Sequence, residues 1–143
     1  MKQSFKNHTR WYVPHHFIYY PILLLLTGYS IYNAVTSADT DIWVMISAIL
    51  LFLFWLAFML RQHYALTLQD RLAKTELRYR YFSLTGQRLE QFEPDLSHAQ
   101  LLALRFAGDG ELAALVKRSV DENLTATEIK KSIVNWKGDY ERV

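Results

Sequence analysis

The chain has 143 residues, of which 51% are hydrophobic and 15% aromatic, with 5 Gly, 3 Pro and a formal charge of +2. That length holds one compact domain, or a smaller domain with a membrane anchor, and the composition is poor material for disorder. The sequence contains no Cys, which excludes disulfides, thiolate zinc sites, iron–sulfur clusters and Cys nucleophiles.

Residues 1–16 form a basic, aromatic N-terminal arm. It carries Lys2, Lys6 and Arg10, has no acid, and runs into YVPHHFIYYP. From Phe17 to Ser37 there is no charged side chain, and again none from Ile42 to Leu60. Each run is about 20 residues, the length a helix needs to cross the hydrocarbon of a bilayer. Backbone groups in lipid must pair within the segment, so residues 17–60 are expected to form a transmembrane helical hairpin closed by Ala38-Asp39-Thr40-Asp41. Two other readings compete. One is a buried core hairpin of a soluble protein. The other is a signal peptide, for which Thr36-Ser37-Ala38 is a weak cleavage match. The length of both runs and their natural pairing favour two retained spans.

Orientation follows from charge. Lys2, Lys6 and Arg10 precede the first span, Arg61 follows the second, and the connecting turn holds only acids. The positive-inside rule puts both termini in the cytoplasm and Asp39 and Asp41 outside. The aromatics then fall into belts: Trp11, Tyr12, Phe17, Tyr19, Tyr20 and Tyr64 at the inner border, and Tyr29, Tyr32 and Trp43 at the outer one. Pro21 is expected to kink the first helix or mark its true start.

His15, His16 and His63 share the inner border layer. They are candidate ligands for a haem or metal, yet no spacing specifies a site and no carboxylate supplies an outer hydrogen-bond partner. Border histidines explain the composition better, and no cofactor is expected. Thr27, Ser30, Ala34 and Ser37 fall near one face of the first span, beside Asn33. Small, weakly polar faces permit close helix approach, so this one is read as transmembrane packing rather than as the lining of a homo-oligomeric channel. The spans contain no ionisable residue, the usual marker of a conduction or proton path.

Between Asp41 and Gly86 there is no Gly and no Pro. The second span is therefore expected to continue into a long cytoplasmic stalk helix, residues 61–85, about 60 Å in total from Ile42 to Leu84 at 1.5 Å per residue. Ala65, Leu68, Leu72, Thr75, Tyr79 and Phe82 recur in alternating steps of three and four, a coiled-coil seam. Asp70 with Lys74 and Glu76 with Arg80 stand at helical i, i+4 spacing. Arg71, Lys74, Arg78 and Arg80 read as a solvated face beside an anionic leaflet.

Residues 86–143 are expected to form a small domain of three short helices. Ser97 and Gln100 form a capping box with Leu96 and Leu101 as staple, and Thr125 and Glu128 form another with Leu124 and Ile129. Asp109 caps the middle helix, and the last helix runs through Trp136 to end before Gly138. The bundle is expected to dock on the stalk at Leu72, Leu77, Tyr79 and Phe82, since so small a domain is marginal alone. Three short helices also suggest a DNA reader, but residues 89–143 hold ten acids and seven bases. That net negative charge argues against nucleic acid. Glu90, Glu93 and Asp95 lack calcium-loop spacing and are read as solvating their connection. No phosphate loop or catalytic motif is present, so no enzymatic activity and no catalytic residue is expected.

The opening QSFKNHTRWYVPHHF, the two-span hairpin and the closing LTATEIKKSIVNWKGDYERV together resemble an uncharacterised family of small bacterial two-helix membrane proteins, over essentially the whole chain. The resemblance implies a two-helix inner-membrane anchor with a cytoplasmic helical tail, and it carries over no site residues. The chain is thus expected to be an all-α, multi-pass inner-membrane protein, a structural, scaffold or accessory subunit. Its partners would be lipid and either further copies of itself or a larger membrane complex. The contact residues expected are Leu68, Leu72, Tyr79 and Phe82, with Trp136 as an anchor. The alternatives are a cofactor-carrying redox accessory subunit and a small channel.

Overall fold

A computed structural model describes residues 3–7 and 12–139. Lys2, Arg10 and Trp11, used above, lie outside the described residues. Every regular element among those described is helical, as the absence of alternating apolar patterns requires. The chain divides into two compact units, one of residues 11–67 and one that joins the N-terminal segment to residues 68–143.

The first unit is a helical hairpin. A π-helical turn, Pro14–Tyr19, leads into α1, Tyr20–Thr36. Helix thus begins inside the expected arm, and Pro21 lies within the continuous helical run Pro14–Thr36, directly after its π turn, where the irregular turn accommodates a residue with no N–H to donate. After the turn at Ser37 comes α2, Thr40–Met59, followed by a second π turn, Leu60–Ala65. The chain stays helical to Thr85, as the Gly- and Pro-free run predicts. The hairpin is inside-out relative to a soluble core. Its large apolar side chains point outward, with Leu25 73% and Val35 82% exposed. The buried residues are Leu23, Thr27, Ser30 and Ser47.

The second unit holds α3, Leu66–Thr85, from Leu68 onward. Then come two single 3₁₀ turns, Leu89–Gln91 and Glu93–Asp95, and three short helices. These are α4, His98–Leu104, α5, Asp109–Asp121, and α6, Ala126–Ser132. Residues 68–85 are therefore part of this unit, not a separate stalk. One core, with Leu77, Tyr81, Leu104, Leu112, Val116 and Ile129 at its centre, joins all four helices.

The caps follow the sequence signals where those are side-chain chemistry. Ser97 Oγ accepts from the Gln100 N–H at 3.3 Å, and Gln100 Oε1 accepts from the Ser97 N–H at 2.6 Å. Gln100 Nε2 also donates to the Leu124 carbonyl at 2.7 Å, tying this cap to the turn before α6. Thr125 and Glu128 close the second box. The cap of α5 differs from expectation: Gly108 is the N-cap, and Glu111 accepts its N–H at 3.2 Å. A Cβ at Gly108 would meet the Asn135 carbonyl oxygen at 2.7 Å, so only glycine fits. Between α5 and α6, Asn123 takes the left-handed conformation at φ 50°.

Helix α6 stops at Ser132, short of Trp136, because Glu111 takes the chain away from it. Its carboxylate accepts the N–H of Val134 at 3.1 Å and of Asn135 at 2.9 Å. These are strong charge-assisted bonds that a continuing helix would forfeit. The extended segment then lays Trp136 against Phe106, ring centroids 5.1 Å apart, and pairs it with Ala107. Trp136 is half-buried in its own domain. Gln3 completes the unit: its side-chain amide exchanges two hydrogen bonds with the backbone of Asp139, at 3.1 and 2.8 Å.

Candidate functional site

Three places in the structure merit weighing: the histidine border, the small-polar face of α1, and the outer face of α3. At the histidine border, the π turn Pro14–Tyr19 places His15 and His16 side by side. Single π turns inside helices are frequent at functional positions, so this geometry is the natural place to look for ligand chemistry. Both nitrogens of His16 are engaged. Nδ1 lies 3.0 Å from the Tyr12 carbonyl, which makes it the donor, and Nε2 then accepts from the Arg61 guanidinium. An imidazole in that state has no lone pair left for a metal. His15 is packed among rings, stacked on Tyr19 at 5.7 Å and edge-on to Tyr20 at 4.5 Å. His63 is exposed. Among the described residues, no group of three or more His, Asp or Glu is gathered that could hold a metal ion.

On the inner face of α1, Ser30 is 1% exposed. Its Oγ lies 2.7 Å from Ser47 Oγ on α2, and Ser47 donates to the Trp43 carbonyl at 2.8 Å. Ser30 Oγ also lies 3.1 Å from the Trp43 carbonyl, so the two hydroxyls share that acceptor, and one of them donates to it while the other donates across the pair. Thr27 donates to the Leu23 carbonyl at 2.7 Å, a back-bond that satisfies a buried hydroxyl within its own helix. Ala34 and Ser37 are half-buried on the same side. The face therefore meets α2. Aromatic pairs close both ends of the hairpin, Tyr29 with Trp43 at 5.7 Å and Tyr20 with Phe54 at 5.1 Å.

Helix α3 carries two apolar stripes where one was expected. Ala73, Leu77 and Tyr81, spaced by four, face the core. Leu68, Leu72, Thr75, Tyr79 and Phe82 face outward, with Leu72 61% and Tyr79 75% exposed. The expected docking at Leu72, Tyr79 and Phe82 is thus corrected to Ala73, Leu77 and Tyr81; only Leu77 was placed rightly. Reading all apolar positions as one widened stripe concealed Tyr81, whose i, i+4 spacing from Leu77 was the available signal. Burial pushes the Tyr81 hydroxyl up from its ordinary pKa.

The basic residues of α3 are also redistributed. Lys74 and Arg78 converge on Glu93, at 2.8 and 2.6 Å. Arg80 reaches Asp109 at 2.7 Å and donates to the carbonyls of Arg105 and Ala107. Asp70 faces His98 at 3.3 Å. Three of the four basic side chains hold the domain together instead of forming a solvated face, and the two i, i+4 pairs do not form. A loop carboxylate that accepts two cations outcompetes a solvent-exposed helical pair.

The outer face of α3 is therefore the feature of this domain that its own packing leaves unused. The sequence match over residues 1–143 now places the chain. It belongs to DUF6526, a family of unknown function. No curated protein and no solved structure matches it. The geometry of this DUF6526 protein has three parts. That geometry consists of an inside-out hairpin, a self-contained helical domain, and one apolar seam facing out.

Proposed function

We propose that this DUF6526 protein is a non-enzymatic integral protein of the bacterial inner membrane. It anchors a small cytoplasmic helical domain and serves as a structural, scaffold or accessory subunit, by self-association or by docking a partner on that domain. One observation carries the reading. Two helices long and apolar enough to cross a membrane, Pro14–Thr36 and Thr40–Thr85, leave their large apolar side chains outward while their buried hydroxyls pair with each other. A soluble core hairpin would bury that apolar surface; a hairpin in lipid exposes it and satisfies its polar groups internally.

In this reading Arg61 lies just beyond the second span and the acidic Asp39–Asp41 turn faces outside, consistent with the charge bias. The absence of native cysteine makes the test direct, because each introduced thiol reports alone. Ala38→Cys is expected to react with a membrane-impermeant maleimide on intact spheroplasts. Gln87→Cys is expected to react only after permeabilisation. Extraction by alkaline carbonate, or labelling of both positions before permeabilisation, would overturn the reading.

A further inference from the structure

Resting on the membrane-anchor reading for chain orientation, we propose that α3 pairs with the same helix of a second copy of this chain, as a parallel, in-register two-stranded coiled coil. The outward stripe steps 4, 3, 4, 3 from Leu68 to Phe82, the repeat of a left-handed seam. With Leu72 and Tyr79 at a and Leu68, Thr75 and Phe82 at d, the buried stripe Ala73, Leu77 and Tyr81 occupies b, f and c. The domain thus packs on the side of the helix opposite the seam. The a and d side chains themselves stay exposed.

Charge selects the occupant. In this register Arg71 is a g position and Glu76 is the e position five residues later. Across a parallel pair, g of one helix meets e of the other at that offset, so Arg71 and Glu76 form the salt bridge twice, by symmetry. Both side chains are exposed. Among the described residues neither makes an ion pair or side-chain hydrogen bond, although nine other basic and acidic residues from Asp70 to Asp109 do. An antiparallel pair would bring g against g, setting Arg71 and Arg78 against like charges. Two copies anchored with the same topology emerge from the membrane side by side and pointing the same way, which presents the parallel arrangement directly.

Single-cysteine variants of the full chain in native membranes test this, under mild oxidation. In-register a and d positions bring their own counterparts within disulfide reach. Cysteines at 68, 72, 75, 79 and 82 are each expected to give a species of twice 16.9 kDa, while Leu84→Cys, on the far side, is not. Arg71→Glu is expected to lower the Leu72→Cys cross-link several-fold, and adding Glu76→Arg in the same chain to restore it. Three outcomes overturn the proposal: yields no higher than at Leu84→Cys, a maximum at one position falling away on both sides, or an adduct of any other mass. Protein found in the soluble fraction would instead defeat the membrane reading, so the two failures are separable.

Discussion

Arg78 closes on both oxygens of Glu93, Nε to Oε1 at 2.6 Å and Nη2 to Oε2 at 2.7 Å. Lys74 adds a third contact at 2.8 Å. The Arg78 hydrogen bonds foremost, and Lys74 after them, hold the Glu93 carboxyl down to about 2. A carboxyl whose folded pKa is depressed stabilises the fold fully above its ordinary value and loses that contribution as pH falls toward the folded one. We expect stability of the second unit to decline between about pH 4.5 and pH 2, and Glu93→Gln to flatten that decline. Arg78 is partly exposed, so solvent screening keeps the cost of Glu93→Gln near neutral pH to about 1–2 kcal/mol. Urea unfolding followed by Trp136 fluorescence, in a variant with the other tryptophans replaced, would measure both. An unchanged pH slope in Glu93→Gln would show the clamp to be dispensable.

That clamp also marks the limit of what the sequence reveals. Ser97 with Gln100 and Thr125 with Glu128 were legible because a capping box is local, with both partners three residues apart. The two apolar runs were legible for the same reason, since length alone distinguishes them. Glu93 with Arg78, Arg80 with Asp109 and Glu111 with Asn135 join segments about 15 or more residues apart, and no local pattern encodes such pairs. Glu111 shows the consequence. Its carboxylate reaches two backbone N–H groups beyond α6, so the apolar spacing of Ile133 and Trp136 imitates a helix that the tertiary contact has ended.

The Ser30–Ser47 pair predicts how the hairpin responds to substitution. In the proposed membrane reading, lipid supplies no hydrophobic force between helices, so close packing and the hydroxyl bridge hold α1 to α2. Ser30→Ala removes the bridge and is expected to cost about 0.6 kcal/mol. Ser30→Leu must force the helices apart and is expected to cost about 1–3 kcal/mol. Titration of the folded protein in mixed micelles with increasing SDS, followed by far-UV ellipticity, should rank wild type above Ser30→Ala and both above Ser30→Leu. A Ser30→Leu variant as stable as wild type would mean that this face does not meet α2.

The histidine border makes a spectroscopic prediction. With Nδ1 of His16 held by the Tyr12 carbonyl and Nε2 by Arg61, a ligand would have to break a charge-assisted bond to gain one imidazole. Purified protein titrated with haem is expected to show no Soret shift of bis-histidine ligation. His16→Ala is expected to leave the titration unchanged. A bis-histidine spectrum that disappears in His16→Ala would reinstate the redox-subunit alternative.

Two glycines of the second unit offer an internally controlled test of its packing. Gly108 and Gly110 stand two residues apart at the start of α5, yet their surroundings differ. A Cβ at Gly110 meets nothing within 4 Å, whereas at Gly108 it meets the Asn135 carbonyl oxygen at 2.7 Å and Cβ at 3.0 Å. Backbone lies in the way at Gly108, so the segment that Glu111 holds must shift, with loss of its two N–H bonds. Gly108→Ala is expected to destabilise the unit by about 1–3 kcal/mol. Gly110→Ala restricts the unfolded chain and improves helix propensity at no steric cost, and is expected to be neutral or stabilising by up to about 1 kcal/mol. Urea midpoints from Trp136 fluorescence compare the pair directly, since Trp136 is carried by the displaced segment. Equal midpoints for the two variants would mean that residues 133–137 do not pack against the α5 cap.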